Sequence, residues 1–235
     1  MSRFVINKLA GAEDLARSAA MDLASELGIL LRSQPSVNLV LTGGSVGIKV
    51  LKELAPLLEN IDLVRLSIWW GDERFVAANS ADRNSVQAYE ALLSKIRIPK
   101  GNIHEMPSSD DGDLLAASRV FAEQLGSDAP GFDIVLLGMG PDGHVASLFP
   151  ESTAIEIGRW VVAEPNSPKP PQQRISLSYA ALSSSKQVWF LVSGKDKAKA
   201  VSRVFEGENL PATNVKGKEQ TKWYLDQEAA AGITS

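Results

Sequence analysis

The stretch Gly138-Met-Gly-Pro-Asp-Gly-His144 sets a carboxylate, Asp142, two residues before an imidazole, His144, in a loop otherwise built of glycine, proline and methionine. An imidazole with an ordinary pKa near 6.5 is suited to take a proton from water at neutral pH, and a nearby carboxylate can fix its tautomer. Asp142 and His144 are therefore the candidate base and its orienting acid. The other of the chain's two histidines, His104, sits in Asn102-Ile-His-Glu105 without such company and reads as structural. A hydrolytic metal centre needs several ligands. One candidate histidine and no cysteine argue against zinc catalysis. No serine sits in a Gly-x-Ser-x-Gly elbow, which leaves a covalent acyl-enzyme without support.

Anion binding has its own candidates. Thr42-Gly-Gly-Ser-Val-Gly47 follows an apolar run and precedes helical spacing. The amides of Gly43, Gly44 and Ser45 could cradle a phosphate, or the segment could be only a tight turn with Ser45 as helix cap. It carries no Walker lysine and does not fit Gly-x-Gly-x-x-Gly, which disfavours a nucleotide. Ser193-Gly-Lys-Asp-Lys197 puts two lysines at a helix start, where cations oppose the helix dipole unless an anion arrives. Arg174 opens an alternating segment and reads as either a site cation or an exposed strand end. Asp72, Glu73 and Arg74 follow Trp69-Trp70-Gly71; an internal ion pair plus a cap explains them without function, and Arg83 and Asn84 could cap the next helix.

These residues must be positioned by strands and helices, and the periodicity supplies them. Apolar residues at Leu15, Ala19, Leu23, Leu27 and Leu30 predict a helix over 13–31. Residues 37–41, 66–70, 132–137 and 186–192 read as strands. Helices are expected from Ile48, Leu51, Ala55 and Leu58, with Pro56 shortening that element, over 85–93 and 113–125, and through Ala198, Val201 and Phe205. Apolar strands alternating with helices predict an α/β fold with a mostly parallel sheet covered by helices on both faces. Ligands then bind at the carboxyl ends of the strands, where the loops at 42–47, 71–75, 138–147 and 193–197 would gather. The tail over 229–235 is expected to fray.

The 235 residues, 44% hydrophobic, can bury one core, and the Pro-rich segment 164–171 reads as a loop within a single domain spanning 1–235. Zero cysteines fit a reducing, cytoplasmic setting. The net charge of −4, without a basic block, argues against nucleic acid, and no apolar run is long enough for a membrane span.

Four segments together resemble the 6-phosphogluconolactonase family: Leu41-Thr-Gly-Gly-Ser45, Trp70-Gly-Asp-Glu-Arg-Phe-Val76 with Asp82-Arg-Asn84, Gly138 to Pro150, and Ser193-Gly194 with Lys197. The resemblance implies a Rossmann-like fold shared with glucosamine-6-phosphate deaminases, ribose-5-phosphate isomerases and CoA transferases. It also implies hydrolysis of 6-phospho-glucono-1,5-lactone without a cofactor, by a protein expected to be a monomer. It assigns catalysis to His144, Asp142 and Arg74, and binding of a small sugar-phosphate lactone to Gly43, Gly44, Ser45, Asp72, Arg174 and Lys197; Arg74 serves either the oxyanion or the phosphate. Where the family usually has Ser-Thr-Pro, this chain has Ser45-Val46-Gly47. The deaminases are the nearest enzymatic alternative, but their pattern carries Asp-Glu-Tyr at 72–74 and Glu-Pro at 149–150, where this chain has Arg74 and Phe149. A non-catalytic sugar-phosphate sensor is the other alternative.

Overall fold

The computed structural model describes residues 2–128 and 131–233. Helix α1 spans Ala12–Ser33 and buries Leu15, Leu23 and Leu27 completely, the face that the spacing marks. Strand β2, Val37–Leu41, leads into α2, Gly44–Leu57, in which Pro56 falls in the last turn. There its missing N–H and bulky ring help stop the helix. Strand β3 is Leu66–Trp70, and α3, Asn84–Ala88, runs on into a wider π-helical turn over Tyr89–Leu93. The Asp113 carboxylate caps α4, Leu114–Leu125, by accepting from the amides of Leu115 and Ala116, each at 3.0 Å. Strands β5, Ile134–Leu137, and β9, Gln187–Val192, follow, with the short α5, Tyr179–Ser183, ahead of β9, and α6 covers Ala198–Phe205.

Two strands complete this sheet that periodicity did not mark: β1, Arg3–Leu9, and β10, Gln220–Asp226. The order is β1-β10-β9-β5-β2-β3, and every adjacent pair is parallel. Side chains along β9 alternate between two cores. Val188, Phe190 and Val192 join the face that packs on α4 and α6, while Trp189 and Leu191 join α1 and α2 on the other. A fully buried leucine or phenylalanine on either face contributes about 1.5–3 kcal/mol. The expected parallel sheet with helices on both faces is therefore what the chain builds.

A second sheet was not anticipated. Its order is β4-β8-β7-β6, antiparallel throughout, from Asp72–Arg74 (β4), Ile155–Ile157 (β6), Val161–Glu164 (β7) and Arg174–Leu177 (β8). Residues 72–74, expected in a loop, are thus a strand of this sheet. The tail also departs from expectation: Ala229 is completely buried, with its N–H donating to Asp226 at 2.8 Å, whereas 234–235 lie outside the described residues. No helix among the described residues is long and apolar enough to cross a membrane.

Candidate active site

The carboxyl ends of β2, β3, β5 and β9 open onto one cavity of about 250 Å³, floored by their loops and walled by β8 and the Pro-rich loop before it. That volume is about eight waters at 30 Å³ each, room for a monosaccharide phosphate. Thr42, Gly43, Gly44, Asp72, Arg74, Asn84, His144, Lys169, Arg174 and Lys197 all line it. A larger hollow, of about 580 Å³, lies behind Phe149 and is lined by Glu156, Arg159 and Tyr179; it contains no imidazole.

The loop after β5 is folded around His144. Its carbonyl accepts from Gly140 N–H at 2.9 Å, and its N–H donates to Asp142 Oδ1 at 3.3 Å. The same Oδ1 lies 2.5 Å from His144 Nδ1. Burial alone would raise the Asp142 carboxyl, but the charge and hydrogen bonds of His144 outweigh it and hold the group below the usual range. An ionised carboxylate only accepts, which puts the ring proton on Nδ1 and leaves Nε2 as an unprotonated base. Burial lowers the imidazole's own pKa, Lys169 adds to that, and Asp142 and Asp72 oppose it. The net direction is downward, so the ring is neutral at pH 7. Phe149 lies tilted over it, with ring centroids 4.5 Å apart. Ala146, two residues on, adopts φ 49°, a left-handed conformation that side chains seldom take.

Close backbone approach explains the glycine before α2. A Cβ at Gly43 would meet Asn84 Oδ1 at 1.9 Å, because the Asn84 side chain lies against the loop while its Nδ2 donates to the Asp72 carbonyl at 2.8 Å. Gly43 caps α2 through its backbone alone. Ser45 is therefore not the cap; it stands exposed in the first turn and does not line the cavity, although Gly43 and Gly44 do.

The acidic triplet divides its labour. Glu73, almost wholly buried, accepts from the N–H groups of Arg74, Asn84 and Ser85 at 2.8, 2.7 and 2.9 Å and so caps α3 from another strand. Asn84 and Ser85 are thus the capped residues, and Arg83, although it occupies the N-cap position, makes no side-chain cap. The buried ion pairs are Glu73 with Arg83 at 3.8 Å and Asp72 with Arg174 at 3.9 Å, not a pair within the triplet. Asp72 Oδ2 also accepts from the Ser147 hydroxyl at 2.6 Å. Arg74, free of both acids, lines the cavity and donates from Nη1 to the Asp82 carbonyl at 2.5 Å.

Two further elements carry cations. Asp226, at the end of β10, accepts from Gly194 N–H at 3.1 Å and from the Ser193 hydroxyl at 2.5 Å, fixing the turn that presents Lys197. Arg174 is only 6% exposed, so the reading of an exposed strand end is corrected: β8 is buried along its whole length. Lys169 lines the cavity too and was missed, since a lysine among prolines carries no signal apart from a turn. His104 stacks on Trp69, centroids 3.9 Å apart, outside the cavity, as a structural histidine would.

Known proteins resemble this chain in sequence and in fold. The profile of the family described as Glucosamine-6-phosphate isomerases/6-phosphogluconolactonase matches residues 10–223. A 6-phosphogluconolactonase of Mycobacterium leprae is 42% identical over 235 residues, covering 94% of this chain and 95% of the relative. The crystal structure of 6-phosphogluconolactonase from Thermotoga maritima superposes with a TM-score of 0.86 at 30% identity, over 95% of this chain and 100% of that one. A monomeric glucosamine-6-phosphate deaminase superposes with a TM-score of 0.80 at 22% identity, over 97% of this chain and 100% of that one, a likeness of fold alone. The chain belongs to the glucosamine-6-phosphate isomerase/6-phosphogluconolactonase family.

Proposed function

We propose that the protein hydrolyses 6-phospho-D-glucono-1,5-lactone to 6-phospho-D-gluconate, the second step of the oxidative pentose phosphate pathway, by general-base activation of water. The observation that carries this reading is the Asp142-held imidazole of His144, neutral and with Nε2 unbonded among the described residues, in a cavity that four cationic side chains also line. Nε2 takes a proton as the water oxygen bonds to C1; the tetrahedral intermediate then collapses, the bond from C1 to the ring oxygen breaks, and the His144 imidazolium returns its proton to that oxygen as it leaves. Arg74 is suited to the developing oxyanion or to the phosphate. The phosphate end meets the amides of Gly43 and Gly44 at the start of α2, with Lys197 near the start of α6. No cofactor takes part, and the enzyme works as a cytoplasmic monomer.

Phe149 favours the lactonase over the deaminase. Where the deaminase pattern carries a glutamate, an apolar ring packs on the imidazole, so position 149 supplies no second acid for an aldose–ketose proton transfer. The test is a coupled assay in which glucose-6-phosphate dehydrogenase generates the lactone and 6-phosphogluconate dehydrogenase reports the acid. Acceleration over spontaneous opening is expected. Its absence, or ammonia release from glucosamine 6-phosphate, would defeat the reading.

A further inference from the structure

Arg74, Lys169, Arg174 and Lys197 are the cations that line the cavity, and three of them are engaged within the protein. Arg74 donates to the Asp82 carbonyl, and Lys197 Nζ to Asp196 Oδ2 at 2.7 Å. Arg174 spends its donors on the Pro-rich loop: Nε to Pro171 O at 3.0 Å, and Nη2 to Lys169 O at 3.1 Å and Pro170 O at 3.4 Å. Its Nη1 faces Asp72 at 3.9 Å. Lys169 alone among them presents a charged end with no hydrogen bond or ion pair among the described residues.

The backbone of Lys169, in contrast, is held at every polar atom. Its carbonyl accepts from Arg174 and from the hydroxyl of buried Ser167 at 3.1 Å, and its N–H donates to that same hydroxyl at 3.3 Å. A rigidly mounted stem with an unclaimed ammonium is the arrangement of a group waiting for an anion. Its electrical surroundings point the same way. Partial burial and the like charges of Lys197 and Arg174 press its pKa down, against the pull of Asp142. Asp142 itself is already committed to His144 at 2.5 Å. An arriving phosphate relieves both the desolvation and the crowding.

Resting on the lactonase reading, we infer that Lys169 is a specificity-determining residue that pairs with the substrate phosphate, and that Arg174 is a positioning residue that acts on the phosphate through the Lys169 loop. This departs from the sequence expectation for Arg174, which placed its own guanidinium on the phosphate.

A double-mutant cycle tests both halves, with kcat and KM measured for wild type, Lys169→Ala, Arg174→Gln and the double variant. Lys169→Ala is expected to raise KM about 10- to 100-fold, the range of one charge-assisted hydrogen bond, with kcat within about 3-fold. Lys169→Arg should recover most of the loss. Arg174→Gln should raise KM alone but add less than about 3-fold once Lys169 is gone. An unchanged KM in Lys169→Ala, or a loss confined to kcat, overturns the phosphate role. Effects that multiply in the double variant overturn the positioning role. If Arg174→Gln fails to fold, Ser167→Ala, which frees the same loop from its hydroxyl anchor, takes its place in the cycle. A wild type that does not accelerate hydrolysis sinks the lactonase reading and this inference together; an active wild type matched by Lys169→Ala sinks the inference alone.

Discussion

No side chain larger than hydrogen fits at Gly140 while His144 keeps its position: a Cβ there would lie 2.0 Å from both Cε1 and Nδ1 of the imidazole and 2.5 Å from Asp142 Oδ1. The glycine is the floor on which the base rests. Gly140→Ala is expected to push the ring aside and lower kcat about 10²-fold, the scale of a 1 Å misplacement, while far-UV circular dichroism stays that of the wild type. In a His144→Ala background the same substitution should change kcat little, and a large further loss there would mean that Gly140 serves something other than the imidazole.

Removing the base itself gives the reference. His144→Ala should lower kcat by about 10²–10⁴-fold, the contribution of one general base, with KM nearly unchanged. Retained wild-type kcat would refute the assignment.

The pH profile follows from the direction of the His144 shift. The protonated ring cannot accept a proton, so kcat/KM falls as pH drops through its pKa, and burial places that acid limb below the ordinary 6.5. Asp142 raises the imidazole pKa, so Asp142→Asn should move the limb to still lower pH while also reducing kcat by about 10²-fold through loss of the preferred tautomer. A limb that moved upward on losing the carboxylate would contradict the geometry.

Glu73 holds α3 by its N-terminus and faces the buried Arg83 guanidinium. Glu73→Ala strips a cap and leaves Arg83 without its buried counter-ion, a loss of about 3 kcal/mol or more, read from the midpoint of urea unfolding. A loss under about 1 kcal/mol would mean that the carbonyls of Met106 and Pro107, which Arg83 also contacts, suffice for it.

Asp226→Ala releases the Ser193-Gly194 turn that presents Lys197. KM is expected to rise, by up to about 10²-fold, with a smaller effect on kcat. Lys197→Ala should raise KM in the same way, and an unchanged KM in both variants would remove Lys197 from the phosphate site.

What was legible in the sequence was whatever rests on local pattern. The near-continuous apolar runs of β2, β5 and β9 and the one-sided stripe of α1 have no other solution than burial. Strands β1 and β10 had no such pattern. β1 alternates exposed and half-buried residues, leaving Phe4 more than half exposed, and β10 begins with Gln-Thr-Lys, where the Lys222 ammonium covers the Trp189 ring at 4.1 Å. Strands β6, β7 and β8 are three or four residues long, too short for periodicity to register. At the site, Asp142 and His144 stood out because an acid and an imidazole are superfluous to a turn. Lys169 did not, since its significance depends on Arg174 and Ser167 reaching its backbone. Glu73 was visible as an acid, but its partners at 84 and 85 are a matter of tertiary structure.

The strand order ties an edge of the sheet to the site. Among the described residues β1 pairs only with β10, so it has no strand neighbour until residues 220–226 are in place, and the Lys197 turn waits for Asp226 from the same strand. Closure of the sheet at β10 and the seating of one cavity cation are thus a single event in folding. Loosening of the β1–β10 edge therefore reaches the cavity through Asp226, at the turn that carries Lys197.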